Sequence, residues 1–236
     1  MRITINTNPV KMNNQNFKLI SIEGNIGSGK STLLKNLQDY YIDNKNVVFL
    51  KEPVDEWETF TDENGVTMLE KFYADQDKYS FPFQMMACIT RLDGLKKAIA
   101  QNPGAIIITE RSLYTDKMVF AKMLFDNKKI ELATYKIYLR LFNTFSSDFP
   151  VDKIVYVKAD PDVCLSRIDK RSRKGESNIP LSYLSDCHDY HNKMLDIAHE
   201  DCVCKNQLVL NGCVDIYENK DITTEWITQI NEFIFN

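Results

Sequence analysis

Five short runs of apolar, largely β-branched residues punctuate the chain: Phe17–Glu23, Asn46–Lys51, Ala105–Thr109, Lys153–Val157 and Gln207–Leu210. Each is continuous enough to read as a strand covered on both faces, the habit of a parallel sheet. Between them apolar residues recur at helical spacing. That spacing predicts a helix opening at Ser31–Gln38 and further helices near 66–76, 82–100, 112–126, 131–147, 160–170, 181–200 and 221–235. Strands alternating with helices predict an α/β fold, a doubly wound five-stranded parallel sheet with ligands at the carboxyl ends of its strands. Residues 17–236 read as a single domain. Residues 1–16, rich in asparagine and lacking both acidic residues and apolar periodicity, are expected to form a flexible leader.

Bulk properties narrow the classes. The 236 residues carry a net charge of −4, with a pI near 5.5. That balance argues against a nucleic-acid backbone as the main partner. No apolar stretch approaches the roughly 20 residues of a membrane span, and no signal core follows the start, so the expectation is a soluble, cytoplasmic protein without a membrane partner. A transit peptide is disfavoured, since residues 1–16 offer only Arg2 and no serine. The six cysteines, Cys88, Cys164, Cys187, Cys202, Cys204 and Cys213, need not pair in a chain able to build its own core. A metal site from Cys187, His188, His191, His199, Cys202 and Cys204 is the sharper alternative. The one-residue gap at 202–204 does not suit a zinc knuckle.

Chemistry concentrates after the first strand, where Gly24-Asn25-Ile26-Gly27-Ser28-Gly29-Lys30-Ser31 completes a G-x-x-x-x-G-K-S phosphate loop, followed by Thr32. The glycines let successive N–H groups face phosphate oxygens at a helix N-terminus, Lys30 reaches the terminal phosphates, and Ser31 suits Mg²⁺. Carboxylates follow the next two strands. Glu52, stiffened by Pro53, is a candidate base for an attacking hydroxyl. Glu110 is a candidate for Mg²⁺, with Arg111 neutralising charge beside it. Arg167, Arg171 and Arg173, five basic residues in ten counting Lys170 and Lys174, precede Gly175 and Glu176. That segment reads as an arginine-rich lid over the phosphates.

These motifs, with Trp57, Phe81-Pro-Phe-Gln84 followed by Arg91, Glu110-Arg-Ser-x-Tyr-x-Asp116, and Ile179-Pro-Leu-x-Tyr-Leu184, resemble the deoxyribonucleoside kinases in order from about residue 18 to 200. The resemblance implies transfer of the γ-phosphate of ATP, with Mg²⁺, to the 5′-hydroxyl of a deoxynucleoside. It implies Glu52 as general base, Arg111 on the hydroxyl and transferring phosphate, and Glu110 on Mg²⁺. Gln84 would read the base edge, while Trp57, Phe83 and Phe120 would pack the base. Tyr73 and Glu176 would hold the 3′-hydroxyl. Arg91 and Asp116 mark the members that take cytosine or purine deoxynucleosides ahead of thymidine. A homodimer through helices 82–100 and 131–147 is also implied. Asp215, after the last strand, is a candidate contact to the donor adenine. Gly175, where many relatives carry an acid, and Tyr79, where some carry Trp, depart from the pattern.

Two rivals share the phosphate loop. A nucleoside monophosphate kinase needs extra cations at its acceptor site, which the Glu52 base does not fit. A nucleotide switch finds only Asp62-Glu-Asn-Gly65 in a polar loop, and Asn219-Lys-Asp221 is one residue too short to read guanine.

Overall fold

A computed structural model describes residues 17–146, 148–171, 179–216 and 219–236. Arg173 and Glu176 of the expected lid, and the leader 1–16, lie outside the described residues. Five strands form one all-parallel sheet: β1 (Lys18–Glu23), β2 (Val47–Leu50), β3 (Ile106–Glu110), β4 (Lys153–Lys158) and β5 (Gln207–Asn211), in the order β2-β3-β1-β4-β5. Central β1 pairs Ile20 with Ile108 and Ile22 with Val155. Its apolar run is continuous because both faces are covered. One layer packs α1 (Lys30–Tyr40) and α10 (Lys220–Phe235) on Ile20, Ile22, Val155 and Val157 through Leu33, Leu34, Leu37 and Ile230. The opposite layer places α4 (Gln76–Gln101), α7 (Leu132–Phe145), α8 (Pro161–Arg171) and α9 (Leu181–Met194) over Leu19, Ile107, Ile154 and Tyr156. Shorter helices α2 (Val54–Trp57) and α3 (Met68–Ala74) lead into α4.

Three helical expectations change. The pattern predicts a break before Pro82, yet α4 starts at Gln76, where the Asp75 side chain accepts from Lys78 N, and runs through the proline. The N–H that Pro82 lacks would have gone to the carbonyl of Lys78, an exposed residue in the first turn of the helix. The helix expected near 112–126 is composite: α5 (Leu113–Thr115), a π turn (Asp116–Ala121) and α6 (Lys122–Asp126). The helix expected to reach residue 200 ends at Met194, because Asp196 Oδ1 accepts from Ala198 N at 3.0 Å and competes with helical bonding.

The metal alternative fails among the described residues, where no group of three or more His, Cys, Asp or Glu is placed to hold an ion. All six cysteines are free thiols. No described helix is long and apolar enough to cross a membrane.

Candidate active site

The carboxyl ends of β1, β2, β3 and β5 open into a cavity of about 490 Å³. Its floor is the phosphate loop. Gly24, Gly27 and Gly29 have φ of 147°, 78° and 103°, and a Cβ on Gly27 would sit 2.5 Å from the Cys164 carbonyl oxygen. Ile26, Gly27, Ser28, Gly29, Lys30, Ser31 and Thr32 line the cavity. Gly24 and Asn25 do not. A Cβ on Gly24 would meet the Val157 carbonyl oxygen at 2.5 Å, and Asn25 is a buried strut, donating Nδ2 to the Leu184 carbonyl at 2.8 Å and accepting from Ile26 N. The Asn25 side chain therefore braces the loop on α9. Lys30 Nζ donates to the Asn25 carbonyl at 2.6 Å. Burial, with the Arg111 charge next, lowers its pKa to about 8.

Glu52 and Arg111 form the opposite wall. Arg111 Nη1 donates to Glu52 Oε1 and Oε2 at 2.8 and 2.9 Å. Arg111 continues the sheet ladder, its N bonding to the Ile22 carbonyl, then turns at φ 62° into the capping box of Ser112 and Thr115. A non-glycine residue at such φ is held by its surroundings. Burial pushes the Glu52 carboxyl up, but Arg111, then Arg91 and Lys30, override it and hold the group well below the usual carboxylate range. Ser31 Oγ donates to Glu110 Oε1 at 2.6 Å, so the expected Mg²⁺ residues meet. Both are hard oxygen donors of the kind Mg²⁺ takes.

Beyond Glu52 the cavity becomes an aromatic slot, lined by Trp57, Tyr73, Phe83 and Phe120, with Gln84 and Asp116 at its polar end. Phe83 stands edge-on to Trp57 with centroids 5.6 Å apart, and Trp57 Nε1 donates to Thr90 Oγ1 at 2.8 Å. The Arg111 guanidinium lies 5.2 Å above the Phe120 ring. Gln84 is 1% exposed, and its Oε1 has no partner among the described residues. Asp116 opens the π turn, and burial, partly offset by Arg91, raises its pKa. π turns recur where a helix is re-aimed at a site.

Arg91 is not among the residues that line the cavity. Its Nε donates to Asp116 Oδ2 at 2.9 Å, Nη1 to the Glu110 carbonyl at 2.7 Å and Nη2 to Glu52 Oε1 at 3.2 Å, so it braces two acidic side chains. Arg167 and Arg171 line the cavity beside Asp215. Arg167 donates to the carbonyls of Gly212 at 2.6 Å, Val214 at 2.9 Å and Ser28 at 3.3 Å, tying the loop after β5 to the phosphate loop.

Several lining residues escape motif reading. Phe72, stacked on Phe83 at 4.5 Å and 13°, and Leu69, Tyr183 and Trp226 sit in helices whose apolar pattern looks like ordinary core. Tyr183 alone carries a signal, its place in the Pro-Leu-x-Tyr-Leu stretch.

A phosphate loop facing a carboxylate–arginine pair and an aromatic slot defines a phosphotransferase with two adjacent substrate sites. Comparison with known proteins narrows that class. The profile of the deoxynucleoside kinase family matches residues 20–235, and the chain belongs to that family. It is 34% identical over 222 residues to a probable deoxycytidine kinase of Fowlpox virus, covering 93% of this chain and 89% of that one. It is 34% identical over 199 residues to deoxycytidine kinase of Homo sapiens, with 76% and 75% covered. With mitochondrial deoxyguanosine kinase of Xenopus laevis, identity is 27% over 254 residues, with 98% and 95% covered. The protein is a deoxynucleoside kinase, transferring phosphate from a nucleotide donor to a deoxynucleoside.

Proposed function

We propose that the enzyme transfers the γ-phosphate of ATP to the 5′-hydroxyl of deoxycytidine or a purine deoxynucleoside in preference to thymidine. The observation that carries this preference is the polar end of the slot, where the unpartnered Gln84 Oε1 and the Asp116 carboxylate are both acceptors. Acceptors suit a base edge that presents an exocyclic amine, and they leave the O4 of thymine unmatched. Arg91 acts on this preference through Asp116. The aromatic rings hold a flat base, Tyr73 and Glu176 clamp the sugar, and Asp215 meets the donor base.

In this reading Glu52 accepts the proton of the 5′-hydroxyl and Arg111 steadies that hydroxyl and the transferring group. A carboxylate held ionised by two guanidiniums is a weak base, so it takes the proton late, as a loose phosphoryl-transfer transition state allows. Lys30, Arg167, Arg171 and Arg173 bind the donor phosphates. Ser31 and Glu110 hold Mg²⁺, which when bound neutralises charge on those phosphates. Exposed Ile89, Ile137 and Phe145 on α4 and α7 support a homodimer through those helices. Six free thiols fit a reducing compartment, and we place the enzyme in the cytoplasm.

A turnover panel of the four deoxynucleosides and their monophosphates, with ATP and Mg²⁺, tests the assignment. Deoxycytidine or a purine deoxynucleoside is expected to lead. Thymidine turned over as well as these overturns the base preference, and preferred monophosphates overturn the role of Glu52.

A further inference from the structure

Two side chains that approach Phe120 each carry a buried polar atom with no partner among the described residues: Arg111 Nε and His191 Nε2. His191, fully buried on α9, lies parallel to Tyr156 with centroids 6.3 Å apart and meets Phe120 edge-on at 6.4 Å. Its Nδ1 is 2.7 Å from the Cys187 carbonyl oxygen. A carbonyl only accepts, so Nδ1 carries the ring proton and Nε2 presents a bare lone pair. Burial, with the Arg111 charge next, lowers the ring's pKa to about 3, so this neutral tautomer persists across the working range.

Arg111, its guanidinium 5.2 Å over the same Phe120 ring, uses Nη1 on Glu52 and points Nη2 at the Gly24 carbonyl, 3.5 Å away. Its Nε is thus a donor lacking an acceptor, while His191 Nε2 is an acceptor lacking a donor. Each alone is a costly group to bury, and together they are complementary. We propose that His191 is a positioning residue for Arg111: one buried water accepts from Arg111 Nε, donates to His191 Nε2 and so fixes the rotation of the guanidinium against Glu52. A water between two such groups is nearly as good as a direct bond. The proposal rests on the role given to Arg111 above.

Three substitutions separate positioning from packing. His191→Gln keeps an acceptor where Nε2 lies, His191→Asn keeps only a donor toward the Cys187 carbonyl, and His191→Phe keeps the ring alone. Packing alone ranks Phe first. Positioning ranks Gln first, with kcat in the Asn and Phe variants falling about tenfold and the KM for nucleoside moving less than about twofold, as expected for misorientation of a group at the reacting centre. Parental kcat in His191→Phe overturns the proposal. Should the variants fail to fold, a high-resolution crystal structure of the native enzyme decides, since a water within hydrogen-bonding distance of both nitrogens is required and its absence overturns the idea. The ¹⁵N resonance of His191 Nε2 in Arg111→Met keeps the two readings apart. An unmoved resonance overturns the contact whatever the activity, whereas a moved resonance with full activity keeps the contact and overturns the catalytic role of Arg111.

Discussion

Glu52→Gln removes the charge that two buried guanidiniums share while preserving the shape of the side chain. If Glu52 is the proton acceptor, kcat falls by roughly 10²–10⁴, equivalent to about 3–5 kcal/mol of barrier, while the Kd for deoxycytidine stays within about threefold because the aromatic slot is untouched. Stability changes too. Arg111, 3% exposed, and Arg91, 7% exposed, each lose a charged partner. Stranding a buried charge costs about 3–5 kcal/mol. Arg91 keeps Asp116, and the new amide still accepts, so the lower end applies. For a domain this size that is a fall in Tm of about 6–12 °C. Steady-state kinetics, calorimetric titration of deoxycytidine and a thermal melt measure the three quantities. A kcat within about threefold of the parent, with any loss confined to KM, refutes proton transfer to Glu52.

Three further outcomes are expected. Replacing Arg91 by Met and Asp116 by Ala together opens the polar end of the slot to thymidine, and unchanged thymidine turnover sinks the assignment. Lys30, lowered by burial to about 8, loses its charge as pH rises through that value, so kcat/KM for ATP declines above about pH 8 by up to about tenfold per unit. Bound phosphate favours the charged amine, so kcat at saturating ATP holds longer, and a kcat/KM profile flat to about pH 9.5 contradicts this. Gly94→Ala in α4, where an added Cβ meets no atom within 4 Å, stabilises by about 0.5–1 kcal/mol through helix propensity. A melt showing destabilisation means that helix needs the glycine.

What the chain revealed about itself divides along local and long-range lines. The phosphate loop is legible because its glycines, lysine and serine act within eight consecutive residues, and the buried strands are legible because two-sided burial leaves no polar alternation. Sheet order was not legible, since pairing β1 with β3 and β4 is decided by packing across 88 to 133 residues. Arg91 could be marked by resemblance, but its engagement of Glu52, Asp116 and the Glu110 carbonyl depends on three elements meeting. The π turn at Asp116 has no compositional sign. Phe72 and Tyr183 look like core because an aromatic wall and an aromatic core obey the same helical spacing.

The place of β1 in the middle of the sheet bears on how the enzyme is made. Its neighbours are Ile106–Glu110 and Lys153–Lys158, and the backbone at Gly24 closes on the Val157 carbonyl. In a growing chain the phosphate-loop motif is complete once Ser31 has been added. That motif stays without its second flanking strand until Lys153–Lys158 has been added. Such distant parallel pairing is slow to form. A truncated product ending before Lys153 therefore retains the phosphate-loop signature but lacks β4, α8 and α9, against which Gly24, Gly27 and Asn25 pack.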